Sequence, residues 1–232
     1  MAITRLDSAA VNTSFNTTQS FTVSSGTDRC LVWAIGGEWT SAGPTAATYG
    51  GQTMTNAVNV QSAADPFRTV TQIWYILDSG IAAASNTTLS GTPTTNYSPI
   101  KIAASYEGVN QTGGATTVPE TNSAAGTPAA NPPNIDITEA DGNLIVASAS
   151  CTGLDNYSWD ADMTEQFDTD SDNATHSFAD RLCTTSNTIT PDPTFGSAED
   201  SSNASAEFAA AVTDHWRNFT NGAILKSKIG MM

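Results

Sequence analysis

The residues best equipped for chemistry in this chain are acidic. Asp155, Asp160, Asp162, Glu165, Asp168, Asp170 and Asp172 fall within eighteen residues, with no Lys or Arg among them. Inside that run, Asp168-Thr-Asp-Ser-Asp172 repeats the D-x-D-x-D opening of a calcium loop, where a hard cation gathers several carboxylates. Asn173 stands where such a loop needs glycine, Ala179 where it needs its bidentate glutamate, and the flanks read as strands. Those departures exclude an EF-hand. Two readings stay open: Asp168, Asp170 and Asp172 as ligands of a structural Ca²⁺, or a solvated acidic hairpin that repels like neighbours.

Aromatic and nucleophilic groups come next. Of the five tryptophans, Trp33 and Trp74 sit inside apolar runs and are expected in the core. Trp39 and Trp159 lie in polar surroundings and are the candidates for an exposed partner or sugar contact. The two histidines, His176 and His215, belong to no nucleophile or metal motif, and no G-x-S-x-G elbow occurs, so both read as structural or surface residues and no catalytic residue is assigned. Paired carboxylates for glycoside hydrolysis need a spatial separation that a sequence does not give, and nothing singles out a pair. Cys30, Cys151 and Cys183 are odd in number and widely spaced, which argues against a zinc knuckle or a disulfide framework; Cys30 and Cys151 adjoin apolar runs as small buried hydrophobes. Nine N-x-Ser/Thr sequons, Asn12, Asn86 and Asn156 among them, follow from the composition.

That composition bounds the partners. Among 232 residues, 23 acids outnumber 8 bases for a formal charge of −15, which disfavours nucleic acid and an anionic membrane alike. Only 13% of residues are charged; polarity comes instead from 35 Thr, 24 Ser and 17 Asn, the texture of short strands and turns. The opening Met1-Ala-Ile-Thr-Arg-Leu-Asp lacks the basic start and apolar run of a secretory signal, and no apolar stretch is long enough to span a bilayer.

Strands must position these residues. Leu31–Ile35 and Ile73–Leu77 are apolar on both faces, as expected of strands packed on two sides. Ile100, Ile102, Ala104 and Tyr106 alternate with Lys101 and Ser105, the mark of a half-buried strand. Leu144–Ala147 and Ala223–Leu225 supply further core runs. Gly50-Gly51 and Asp141-Gly142 are tight-turn signals. Ser205–Trp216 fits either a helix with a one-sided apolar stripe or a strand. The sum is an all-β, two-sheet antiparallel sandwich of jelly-roll type with at most one short helix. Residues 1–20 form an N-terminal arm or first strand, and 21–232 a single sandwich with a long connection at 112–134.

Six segments occur in a suggestive order: Arg29–Ile35, Thr48-Tyr-Gly-Gly-Gln-Thr-Met54, Ile73–Leu77, Ala103-Ala-Ser-Tyr-Glu-Gly-Val-Asn-Gln-Thr112, Asp141–Ala147 and Gly222–Lys226. The succession resembles the jelly-roll β-sandwich module of tailed-phage virion proteins and bacterial extracellular surface proteins, over about Phe21 to Ile229. The resemblance implies no catalytic residue and sets only a prior for function. Joined to the missing secretory signal and the hydroxyl-rich texture, it leads to the expectation of a structural virion protein on the capsid surface. Such a decoration or cement protein bridges subunits of the major capsid protein, self-associates as trimers or dimers, and extends its polar arm, Met1–Gln19, to a neighbouring sheet edge. The alternative is a tail-fibre, receptor- or carbohydrate-binding module using Trp39, Trp159 and the acidic loop. No cofactor beyond the possible structural Ca²⁺ is expected.

Overall fold

The computed structural model describes residues 2–14, 17–40, 42–63, 68–92, 98–129, 134–154, 156–196 and 199–212. Asp155, His215, Trp216 and the 223–225 run lie outside them. The chain is an all-β sandwich with one short helix, α1 (Asp78–Ala83), among the described residues. The first half contributes β1 (Thr4–Asn12), β2 (Thr18–Ser20), β3 (Cys30–Trp39), β4 (Ala46–Tyr49), β5 (Gln52–Thr53), β6 (Thr55–Gln61), β7 (Arg68–Leu77), β8 (Thr88–Thr92) and β9 (Ser98–Glu107). The second contributes β10 (Thr121–Ala129), β11 (Ile137–Glu139), β12 (Leu144–Thr152), β13 (Ser158–Trp159), β14 (Thr164–Ser171), β15 (Ala174–Leu182), β16 (Asn187–Ile189), β17 (Pro193–Thr194) and β18 (Glu199–Phe208).

Two five-stranded antiparallel sheets face each other, ordered β1-β9-β3-β7-β6 and β10-β18-β12-β15-β14. Among the described residues no sheet mixes strands of the two halves. Between them lies the largest apolar cluster, in which Cys30, Val32, Ala34, Ile73, Tyr75, Ile102 and Tyr106 meet Leu144, Val146, Phe178, Ala206 and Phe208. The alternate residues of the same strands point outward and are covered again. Leu31, Trp33, Ile35 and Trp74 pack under the β2-β8-β4-β5 sheet. Ile145, Ala147, Ala149 and Cys151 pack under the β11-β16 and β13-β17 pairs. This double covering explains the runs that are apolar on both faces, and it buries the face of β9 expected to meet solvent: Lys101 and Ser105 are both at 0% exposure.

The two halves repeat one topology. Replacing β1, β9, β3, β7 and β6 by β10, β18, β12, β15 and β14 converts one large sheet into the other, and the outer β2-β8 and β8-β4 pairings become β11-β16 and β17-β13. Registers of the central strands agree residue by residue. Val32 lies between Tyr75 and Ala104, and Val146 between Asp180 and Ala206. Each edge hairpin carries a bulge at the same place, after Asn56 in β6 and after Glu165 in β14.

Several expectations are revised. Within residues 1–20, read as an arm or first strand, Thr4–Asn12 and Thr18–Ser20 are strands: β1 pairs with β9 as an edge of its sheet, and β2 pairs with β8. The 112–134 stretch is not simply a connection: its small Thr, Ser and Ala residues build β10 against β18. The Ser205–Trp216 ambiguity resolves to strand as far as Phe208, since Ala204, Ala206 and Phe208 alternate into the core between β10 and β12. The tight turns hold. Gly50 and Gly51 take φ of 54° and 83° between the paired Tyr49 and Gln52, a primed-turn geometry that glycine adopts at no steric cost.

Candidate functional sites between the two halves

A band of polar side chains crosses the middle of the sandwich. On β12 the alternation that points Leu144 and Val146 inward also points Ser148 and Ser150 inward, and on β15 it brings His176 beside them. The Ser148 hydroxyl lies 2.5 Å from His176 Nε2. Thr71 of β7 donates to Ser150 Oγ at 2.9 Å and meets Ser202 Oγ of β18 at 2.7 Å, while the Gly37 amide donates to Ser150 Oγ at 3.1 Å. Gly36 makes this approach possible, because a Cβ there would run into Ser150 Oγ and lie 2.6 Å from the His176 ring. Burial pushes the His176 imidazole down to about 3, against a smaller opposing pull from the Ile100 backbone, so the ring is neutral. Among the described residues its Nδ1 has no partner of hydrogen-bond geometry. A hydroxyl against a neutral imidazole is the start of a nucleophile–base pair. Here Ser148, Ser150 and His176 are all at 0% exposure; the Ser148–His176 bond lies within one sheet, and the Thr71 and Gly37 bonds to Ser150 and Ser202 tie that sheet to the other.

At the rim of the same interface is a cleft of about 440 Å³, lined by Arg5 and Tyr106 of the first half and by Asp162, Asp180, Arg181 and Leu182 of the second. Asp180, 3% exposed, is its anchor. It pairs with the Arg5 guanidinium, accepts the Tyr106 hydroxyl at 2.7 Å and a Gln166 amide hydrogen at 3.3 Å. Burial, and after it the Asp180 charge, drive the Tyr106 phenol upward, so it remains a donor. Arg181 is held by Glu139 at 2.7 Å and by Asp162 at 3.3 Å, and the Arg181 hydrogen bond, against a smaller opposing push from burial, sets the Glu139 carboxyl below its ordinary value. Both guanidinia are therefore spent on internal partners. The first half has a smaller counterpart of about 200 Å³, where Thr55, Tyr75 and Leu77 occupy the positions of Thr164, Asp180 and Leu182. There the Asp180–Tyr106 hydrogen bond is replaced by an edge-to-face contact of Tyr75 with Phe208, centroids 5.6 Å apart.

The sequence-derived candidates fall elsewhere. Asp168 and Asp170 sit on β14 and Asp172 on the turn into β15 with φ of 46°. Asp168 accepts the Tyr157 amide at 2.8 Å and Asp170 the Thr175 hydroxyl at 2.5 Å. Successive same-face residues of a strand are about 7 Å apart, and no group of three or more His, Cys, Asp or Glu suited to a metal occurs among the described residues. Asp168, Asp170 and Asp172 thus lie along the β14–β15 hairpin and are not gathered into one group.

Trp39 is not an exposed loop residue: it closes β3 at 0% exposure, packed with Val70 and Ile35. Trp159 is half-buried on β13, and its indole N–H donates to Ser177 Oγ at 2.7 Å. The two tryptophans lie on opposite outer faces and form no common platform. Trp33 and Trp74 are in the core as expected, and all three cysteines are buried. Sequence reading missed the Ser148–His176–Thr71 band; its one signal was the pair of serines that interrupts an apolar strand in Leu144-Ile-Val-Ala-Ser-Ala-Ser150.

Comparison with protein-family models, with curated proteins and with solved structures returned no match in any of the three.

Proposed function

We propose that the chain is a structural protein of a virion shell, a decoration protein that lies across capsid subunits and reinforces them. The observation that carries this reading is the four-layer build. Two five-stranded sheets are each covered on both faces, and the polar band at their mid-plane ties one to the other. A slab of that kind resists shear, since sliding one sheet past the other breaks buried hydrogen bonds with no water to replace them. Enclosure of the Ser148–His176 pair also favours a mechanical role over a hydrolytic one. The motif succession beginning at Arg29 supports the same assignment.

The test is to prepare capsids with and without the protein and to measure rupture by heating and by nanoindentation. Decorated shells are expected to break at higher temperature and force. Equal resilience, or failure of the protein to bind shells, would overturn the proposal.

A further inference from the structure

The duplicated fold supplies an internal control for reading its edges. Each large sheet ends in two edge strands, and the four edges form two rims, β6 beside β10 and β14 beside β1. The repeat maps β6 onto β14 and β10 onto β1, so the rims occupy equivalent places. Their chemistry differs. The β14–β1 rim carries Glu165, Asp168, Asp170, Arg5 and Asp7. The β6–β10 rim, Thr55-Asn-Ala-Val-Asn-Val-Gln61 with Thr121-Asn-Ser-Ala-Ala-Gly-Thr-Pro-Ala129, has no charged residue.

The difference is sharpest position by position. Registers on both sides of the shared bulge align Asn56 with Glu165, Asn59 with Asp168 and Gln61 with Asp170. Three carboxylates on one edge stand opposite three amides on the other, and Asn56, Asn59 and Gln61 are all exposed. An exposed strand edge is normally blunted by charge, because its unpaired N–H and C=O groups template pairing with another chain. The charged rim is blunted. The amide rim is not, in a chain whose charge is −15.

We infer that β6 is the contact strand between two copies of this chain, pairing antiparallel with its twin about a two-fold axis. Charge selects the occupant. Like-charged copies repel everywhere except where the local field is weakest, and the uncharged rim is that place. Amides complete the match, since each is both donor and acceptor and so complements itself, whereas carboxylates only accept. An antiparallel pair about a two-fold presents the same strand from both sides, the isologous arrangement that closes as a dimer. Of the two neutral edges β6 is the one that pairs: Pro128 denies β10 a backbone donor, whereas no proline interrupts Thr55–Gln61. Two five-stranded sheets then join into one of ten.

The inference deepens the shell-protein reading by naming a contact surface, and its test uses the purified full chain without capsids, so the two fail separately. Sedimentation over a concentration series is expected to give a species of twice the 24.1 kDa chain mass. Writing the acids of β14 into β6, as Asn56→Glu, Asn59→Asp and Gln61→Asp together, is expected to raise the dissociation constant at least ten-fold while circular dichroism stays unchanged. The reverse change on the opposite rim, Glu165→Gln with Asp170→Asn, is expected to leave it unaltered. Amide exchange of the unmodified chain gives a readout independent of any variant: protection of β6 should rise with protein concentration. A monomer at all concentrations, a larger assembly, a dimer that survives the acidic triple variant, or concentration-independent protection of β6 would each overturn the inference.

Discussion

His176 shows how one residue fixes the acid limit of the fold. Its imidazole is buried and neutral, with a titration point pushed down to about 3, whereas in the unfolded chain it returns to about 6.5. Between those values the unfolded state binds a proton that the folded state refuses, so stability falls as pH drops below about 6.5. One such group removes about 2 kcal/mol by pH 5. Asp160 and Glu165, whose carboxyls burial pushes up, work in the opposite direction, which makes the comparison with a variant necessary. Urea unfolding at pH 7 and pH 5 is expected to show the loss in the natural chain and to show most of it gone in His176→Gln. An unchanged pH dependence in the variant would assign the acid sensitivity to other groups. His176 itself was legible as a structural residue, but the polar band it belongs to was not: its own partner Ser148 lies 28 residues away, and the neighbouring Thr71–Ser202 contact joins strands 131 positions apart.

Elements are held to one another unequally, and the ion pair at the cleft shows where. Arg5 fastens the edge strand β1 to β15 of the opposite sheet through Asp180, a carboxylate buried in the interface, while the guanidinium is about one-third exposed. The asymmetry in burial sets an asymmetry in cost. Arg5→Met strands a buried charge and is expected to destabilise by about 3 kcal/mol. Asp180→Asn keeps an acceptor for Tyr106 and leaves the arginine to reach water, and is expected to cost about half as much. Chemical denaturation of the two variants checks the order, and the reverse order would mean that Asp180 matters through its charge to groups other than Arg5. At this scale strands with uninterrupted apolar runs, β3, β7 and β12, were readable from their residues. The end of β3 was not, because Gly36-Gly37-Glu38 reads as a break, and only the Gly36 approach to Ser150 and the positive φ of Gly37 explain why the strand runs on to bury Trp39. β18 was equally opaque. Its Ser, Asn and Ala residues have no strand preference of their own, and pairing on both sides decides their conformation.

The whole molecule is a repeat whose halves share little sequence, which is why the duplication escapes a reading by motif. Leu31-Val-Trp-Ala34 against Leu144-Ile-Val-Ala147, and Met54-Thr55 against Met163-Thr164, are its only plain echoes, and the first pair is offset by one residue from the structural register that equates Cys30 with Leu144. The largest apolar cluster belongs to neither half alone but lies between them. Each half also has a core of its own beneath its outer strands. Two outcomes for unfolding follow from that arrangement, separate melting of two sandwiches or one cooperative transition, and the placement of the buried residues decides between them. Exposing the inward faces of β3, β7 and β9 would uncover an apolar surface that has no alternative cover, so the loss of one half removes the main support of the other. Calorimetry is expected to give one transition with equal calorimetric and van't Hoff enthalpies. Phe208 of the second half, at 0% exposure against Tyr75 of the first, offers the sharper test. Phe208→Ala is expected to cost about 3–5 kcal/mol, and, if the halves unfold together, to lower amide protection equally in β3 and β12. Loss of protection confined to β12, with β3 unchanged, would mean that the repeats are independent folding units that merely touch.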